Sequence, residues 1–289
     1  MKIKILIPVY NDFQSLSKVI QEINSIISSI DEEFSIIVVN DASTDKTEID
    51  VSNIDKIHSI KILNIKKNQG HARCIATGLK YIFENEEFNC VIPMDGDGED
   101  RPEEIKNFVE SINFSPDKAI VGERVKRTEK LIFKICYKIH KALTYLSTGQ
   151  SIKFGNYTCL PKLTVEKMIN EKATWSSFSG ALQKVEKDKI EVPSERGVRY
   201  FGPSKMSFLN LIKHSLSIIS VFKFNVLIRS VLFLVVYLFL ISENISNVTL
   251  IPFYLVILLN ILTFYFSNRE NINEFNNSLE NINSVEQIK

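Results

Sequence analysis

The apolar run Val91–Met94 ends in Asp95, Asp97, Glu99 and Asp100, four carboxylates within six positions. Like charges this close disfavour one another's ionised form unless positive charge sits between them. A hard divalent cation, Mg²⁺ or Mn²⁺, would supply it through oxygen ligands, and one or two carboxylates plus substrate phosphates are enough to hold such an ion. A calcium EF-hand is excluded: its sixth position would be Asp100 and not Gly, its twelfth Lys106 and not Glu, and the segment follows a strand-like run. A solvated acidic turn is the plain alternative. The sequence has no GxxxxGK[ST] and no GxGxxG, so neither a Walker lysine nor a dinucleotide turn is there to hold phosphate. A nucleoside diphosphate bound through a metal fits what is present.

Elements must bring such residues together. β-rich runs at 2–9, 34–40, 58–65, 90–95 and 118–125 alternate with helical patterns, for instance Phe13, Leu16, Val19, Ile20, Ile23 and Ile27. The alternation predicts an α/β domain with a mainly parallel sheet between helices. Ligands of such sheets bind beyond the carboxyl ends of the strands. Those ends carry Tyr10-Asn11-Asp12, the stretch NDASTD at 40–45, KKNQGHAR at 66–73, and the carboxylate cluster. Further on, 129–146 has the pattern of a basic amphipathic helix and 154–160 that of another strand.

The composition changes past residue 205. Residues 224–243 and 248–266 are apolar stretches near the roughly 20 residues that span a bilayer. The second has no charge at all, where a soluble helix would show a polar face. They predict a transmembrane hairpin within 224–266, with two buried core helices as the bland alternative. Lys213 and Lys223 precede it, Arg229 sits near its start, Arg269 follows it, and the connector has neither Lys nor Arg, so both flanks are expected in the cytoplasm. Residues 206–223 predict an interfacial amphipathic helix, and the Asn- and Glu-rich residues 267–289 a disordered cytosolic tail. A formal charge of +1 with dispersed basic residues argues against nucleic acid as a partner. Cysteines 74, 90, 136 and 159 form no CxxC pair, and no signal peptide precedes the first strand, so a cytosolic catalytic part with reduced thiols is expected.

Four motifs in order, ILIPVYND, VVNDASTD, NQGHARCIATGL and MDGDGEDRPEE, resemble the family 2 glycosyltransferases of the GT-A fold. The later GERVKR and RGVRYFGPSKMS, followed by two apolar stretches, look like the polyprenyl-phosphate branch, which includes dolichol-phosphate mannose synthase and bacterial relatives acting on undecaprenyl phosphate. The resemblance implies a Rossmann-like GT-A domain over 1–205. It also implies inverting transfer of one sugar from a nucleotide diphosphate sugar to a polyprenyl phosphate, for cell-envelope glycan synthesis at the inner face of the cytoplasmic membrane. Pro8, Tyr10, Asp12, Asp41, Asn68, Gly70 and Asp95 would bind the nucleotide sugar. Asp97 would be the principal metal ligand, with Asp95 and Glu99 beside it, and Glu99 stands where that branch usually has Gln. Arg124 would reach donor or acceptor phosphate, and Arg127, Arg199, Ser204 and Lys205 would form the acceptor-phosphate site. Relatives with this anchor can associate through it, which makes a homo-oligomer compatible.

Each position has a structural alternative. Pro8 could end a strand, Asp41 and Asp45 suit a turn or helix cap, His71 suits a hydrogen-bonding loop position better than a ligand, and Arg196, Arg199 and Lys205 could be interfacial cations. Asn156 occupies a position where many relatives are acidic. A phosphate acceptor, already ionised at neutral pH, needs no general base. The rival reading is transfer to a sugar hydroxyl of a surface glycan, which needs a base and would take Asp100 for it. The processive-synthase signature QxxRW is absent, and a scaffold that binds nucleotide sugar without turnover is the reading outside enzymology.

Overall fold

The computed structural model describes residues 1–44, 49–126, 141–203 and 208–289. The chain divides into two compact units, one of Met1–Thr128, Lys153–Lys205 and Asn271–Lys289, the other of Glu129–Ile152 and Met206–Glu270.

The first unit is built on β1 (Lys2–Val9), β2 (Glu33–Asn40), β3 (Ser59–Ile65), β4 (Cys90–Pro93), β5 (Ala119–Lys126), β6 (Phe154–Pro161), β7 (Lys189–Glu195) and β8 (Ile282–Gln287). They form one eight-stranded sheet in the order β7-β5-β6-β4-β1-β2-β3-β8. β1 is buried from Ile3 to Val9, the continuous apolar pattern of a strand covered on both faces. It runs parallel to β2, with Ile5 opposite Ile36, and to β4, with Ile5 opposite Ile92. From β1 the chain steps to β2 and β3 on one side and returns to β4 on the other, so the order reverses at β1. Crevices that bind ligands open at such reversals.

Helices α1 (Phe13–Ile27), α2 (His71–Asn85) and α3 (Ile105–Phe114) follow β1, β3 and β4. α1 buries Phe13, Leu16, Val19, Ile20, Ile23 and Ile27, the stripe expected from their spacing. α2 lies so close to the sheet that a Cβ on Gly78 would collide with Leu6, so a glycine here sets how near the helix approaches. Helix α4 (141–148) belongs to the second unit. In the first, α5 (Lys162–Ile169) and α6 (Phe178–Val185) follow the antiparallel β6. β7, which pairs parallel to β5, has no counterpart among the β-rich runs expected from the sequence.

The tail overturns an expectation. Residues 271–289 are ordered and belong to the first unit. Asn271 caps α10 (Ile272–Asn276) by accepting from the Asn273 and Glu274 amides, and fully buried Phe275 stacks on Trp175 with ring centroids 5.5 Å apart. β8 then pairs antiparallel with β3, Val285 opposite Leu63. Composition suggested disorder because β8 has few apolar side chains, but an edge strand draws its hydrogen bonds from the neighbouring backbone.

The second unit contains α7 (Phe208–Ser220), α8 (Lys223–Ile241) and α9 (Ile251–Ser267). α8 and the helix that begins at Ile251 are long and apolar enough to cross a membrane by length and composition. Their few buried positions are Val226, Ser230, Thr263 and Ser267, and Asn260 donates to Ser230 Oγ at 2.8 Å between the two helices. The large apolar side chains, Phe239, Leu240 and Tyr265 among them, point outward.

Candidate active site

The carboxyl ends of β1 to β4 supply one cluster of polar groups. After β1, Asn11 adopts a positive φ of 50°, which Asn tolerates better than most residues. Its amide donates to Ser43 Oγ at 2.8 Å and its Oδ1 accepts from the Thr44 amide at 2.7 Å, which ties the first strand-end loop to the second. Asp12 stands just before α1, where one oxygen accepts from Ser15 Oγ at 2.6 Å and the other pairs with Arg199.

Asp41, after β2, is buried. Its two oxygens accept from the Gln69 and Gly70 amides at 2.7 and 2.9 Å, and Asn68 donates to its carbonyl at 3.3 Å. Gly70 opens α2 with φ 91° and ψ 156°, a conformation essentially closed to other residues. Asp41 and Gly70 thus shape the third loop between them.

After β4 the carboxylates separate into different tasks. Asp100 is 6% exposed and accepts from the Asp95 amide at 2.9 Å, closing the loop on itself. Asp97 accepts from the Glu99 amide at 3.0 Å through one oxygen and from Arg199 Nη1 at 2.7 Å through the other. Glu99 pairs with Arg196. Asp95 meets His71 Nε2 at 2.9 Å, and His71 Nδ1 lies 3.4 Å from Asn156 Nδ2. The Arg124 guanidinium rests over Gly155, where a Cβ would come within 2.9 Å of it. Its charge acts on both Asp95 and Asp100.

Burial raises the Asp97 pKa to about 6, with the Asp95 charge adding to the shift and Arg199 only partly offsetting it. Burial and the same Asp95 charge push Asp100 to about 7. Asp95 lies below the usual carboxylate range: burial works against its ionised form, but the charge and hydrogen bond of His71, then Arg124 and Arg196, outweigh it. His71 is raised in turn, its desolvation overcome by Asp95. Asp97 therefore sits in a field with too little positive charge.

That field, the hard oxygen donors and the arginine standing in as a cation on Asp97 fit Mg²⁺ or Mn²⁺ held by Asp97 with Asp95 beside it. Among the described residues no three His, Cys, Asp or Glu side chains converge into a protein-only cage; with substrate phosphates, such ions need only one or two carboxylates. Glu99, also expected as a ligand, pairs with Arg196 as Asp97 pairs with Arg199.

The sequence model of the family described as Glycosyl transferase family 2 matches residues 4–162, more than half of the chain, and contains all four strand ends. The chain belongs to glycosyl transferase family 2. Solved structures agree with it in fold. S. aureus TarS 1-349, in a complex with UDP-GlcNAc, is 14% identical with a TM-score of 0.51, over 97% of this chain and 91% of that one. Glucosyl-3-phosphoglycerate synthase from Mycobacterium tuberculosis, in a complex with Mn²⁺, UDP and glucosyl-3-phosphoglycerate, is 13% identical with a TM-score of 0.53, over 78% and 79%. Mannosyl-3-phosphoglycerate synthase from Rubrobacter xylanophilus is 13% identical with a TM-score of 0.53, over 76% and 72%.

In this glycosyltransferase Arg199 joins Asp12 and Asp97, Asp95 stands on the same loop as Asp97, and Tyr10 is exposed at the end of β1. Three of the expected site residues are held by burial and pairing. Pro8 lies buried inside β1 opposite Val39. Both Asp41 oxygens are taken by the third loop, which makes Asp41 a positioning residue for Asn68 and Gly70. Asp100 points inward to the Asp95 amide, so it is a loop clasp and not an accessible base. Arg127, Ser204 and Lys205 lie outside the described residues, as does Asp45.

Two partners, His71 for Asp95 and Arg196 for Glu99, were not expected from the sequence. The second had a signal. Arg196 and Arg199, three apart, stand against Glu99 and Asp97, two apart, a match of cations to carboxylates that only the fold makes visible.

Proposed function

We propose that this glycosyltransferase moves one sugar, with inversion, from a nucleotide diphosphate sugar to a polyprenyl phosphate, undecaprenyl or dolichyl, at the cytoplasmic face of the membrane. One observation carries the reading: every described carboxylate at the four strand ends is already engaged. Asp12, Asp95, Asp97 and Glu99 face cationic side chains, while Asp41 and Asp100 accept backbone amides. Among the described residues, none of these carboxylates stands free to remove a proton. A phosphate acceptor suits such a site, because its oxygen is already ionised at neutral pH, whereas a sugar hydroxyl would need a base.

The strand-end loops tied by Asn11 and Asp41 would seat the nucleoside, near Tyr10 and Asn68. Asp97, with Asp95, would hold the divalent ion, which when bound supplies charge stabilisation to the departing diphosphate. Arg124 makes no ion pair among the described residues and would reach the same diphosphate. An acceptor phosphate oxygen forms the new bond to the anomeric carbon opposite the breaking one, whose electron pair leaves with the nucleoside diphosphate. Arg127, Arg199, Ser204 and Lys205 would orient that phosphate. α8 and α9 would keep the domain where a lipid head group emerges.

Purified full-length protein in detergent, given labelled nucleotide sugars, Mn²⁺ and undecaprenyl phosphate, should form an acid-labile product that extracts into organic solvent. Label found only on a saccharide acceptor would overturn the lipid-phosphate reading, and donor binding without turnover would overturn transfer itself.

A further inference from the structure

The tail that follows α9 reaches the loop at 66–73, between β3 and α2. That loop carries Asn68, Gly70 and His71, and no residue from Lys66 to Arg73 is buried. Its conformation therefore rests on polar contacts. In the middle, the Gln69 and Gly70 amides donate to Asp41 and His71 meets Asp95. Both ends are held by the tail. At the first, the Lys66 amide donates to the Asn281 carbonyl at 2.9 Å and Lys66 Nζ to the Glu280 carbonyl at 2.7 Å. At the second, two positions beyond His71, Arg73 Nη2 pairs with Glu274 Oε2 at 3.1 Å. Further along α2, Lys80 Nζ donates to the Asn276 carbonyl at 2.6 Å.

The Arg73–Glu274 contact differs from an ordinary surface ion pair. Exposed pairs contribute little because two long side chains must be ordered to meet. Here other contacts order them. Glu274 Oε2 also accepts from Trp175 Nε1 at 3.0 Å, its Oε1 accepts from Asn271 Nδ2 at 3.1 Å, and its amide donates to Asn271 Oδ1 at 3.2 Å. Trp175 is buried and stacked on Phe275, and the Arg73 guanidinium lies 5.0 Å over the centroid of the Trp175 ring. The Trp175 hydrogen bond, with the Arg73 charge behind it, outweighs desolvation and holds the Glu274 carboxyl below its ordinary pKa.

We propose that Glu274 is a positioning residue of the donor site: acting through Arg73, and together with the Glu280 and Asn281 carbonyls on Lys66, it holds loop 66–73 in the conformation that receives the nucleoside diphosphate. The inference rests on the reading above that this loop seats the nucleoside. A loop fixed before its ligand arrives spares the ordering that binding would otherwise require. Loosening it lowers affinity by the fraction of time it spends out of place. The donor site is thus completed from outside residues 4–162, the span that carries the family motifs.

The test uses the full chain in detergent with no acceptor, so the outcome of transfer to undecaprenyl phosphate does not bear on it. Hydrogen exchange of the ligand-free protein, read by mass spectrometry of peptides covering 66–75, should run about tenfold faster in Glu274→Ala than in wild type. Calorimetric titration with UDP, GDP, CDP and dTDP in turn, each with Mn²⁺, identifies the diphosphate that wild type binds best, and Glu274→Ala should bind it about tenfold more weakly. Arg73→Gln should lose as much, and the double variant no more, as expected when both lose one shared contact. Ile288→Ala separates positioning from stability, because Ile288 packs on the core at the other end of β3, where its amide donates to the Ile60 carbonyl. It should lower the urea midpoint and leave diphosphate affinity within about twofold of wild type. Wild-type exchange rates in Glu274→Ala would dispose of the brace. Faster exchange with unchanged affinity would mean that the nucleoside does not sit on this loop, which removes the role in donor binding. Equal weakening in Ile288→Ala would reduce the effect to lost stability.

Discussion

Asp97 and Asp100 stand three positions apart and face opposite ways. Asp97 shares its oxygens between the Glu99 amide and Arg199 at the strand ends, whereas Asp100 is buried and spends its carboxylate on the Asp95 amide. Asp97→Ala should lower transfer by at least about a thousandfold, the scale of losing a group that stabilises developing charge. Asp100→Asn keeps an acceptor for the Asp95 amide and should retain rates within about tenfold, since one neutral hydrogen bond is worth about 1 kcal/mol. Initial rates with labelled donor decide both, and a collapse of Asp100→Asn to the level of Asp97→Ala would restore a base at that position. The motif alone shows four acids on one loop. It does not show which is clasp and which is ligand, because that depends on Arg196, Arg199 and His71, brought in from 71 and from 196–199 by the sheet order.

Among elements, the central strands were legible and the edges were not. β1, β2 and β4 are buried on both faces, so their apolar runs announce them. β7 and β8 alternate weakly and take their identity from β5 and β3 beside them. The tail that carries β8 is anchored through Phe275 of α10, stacked on Trp175, and Phe275→Ala should cost about 3–5 kcal/mol by emptying a buried aromatic site, read as a lower urea midpoint at unchanged slope. No loss of stability would mean that the tail is not docked.

A second element-level effect depends on pH. Glu86 ends α2 with its side chain 8% exposed, and its oxygens pair with Lys4 of β1 at 3.0 Å and Lys61 of β3 at 2.6 Å. Burial alone would raise its pKa, but the hydrogen bonds and charges of Lys61 and Lys4 win and the net shift is downward. A folded pKa below the unfolded one stabilises the fold above the unfolded value, and the contribution disappears as pH falls through the folded value. Stability should therefore drop from about pH 4.3, the ordinary Glu value, downward. Glu86→Gln should cost about 3 kcal/mol near neutral pH, since it leaves Lys4 buried without its partner, and should flatten that acid limb. Urea midpoints measured across pH test it; an equally steep limb in Glu86→Gln would move the acid sensitivity elsewhere.

At the scale of the molecule, the path of the chain constrains how it meets a bilayer. The first unit ends at Lys205 and resumes at Asn271, and the intervening helices include two with the length and apolarity of spans. Because Asn271–Lys289 is built into the same sheet as β1, whatever lies between must return to the side it left, so the number of crossings is even. The connector between α8 and α9 has no Lys or Arg, whereas Lys223 and Arg269 flank the pair, a charge pattern that would send the connector of a membrane-crossing pair outward. A cysteine at exposed Asn247 in that connector should react with a membrane-impermeant maleimide in intact cells, whereas one at exposed Asn277 should react only after permeabilisation, with the unsubstituted chain supplying the background. If Asn247→Cys also waits for permeabilisation, the hairpin does not cross, and the phosphate acceptor would have to be sought in solution. If Asn277→Cys is labelled from outside, the catalytic unit faces the wrong compartment for a cytosolic nucleotide sugar, and the orientation argument fails while the fold stands.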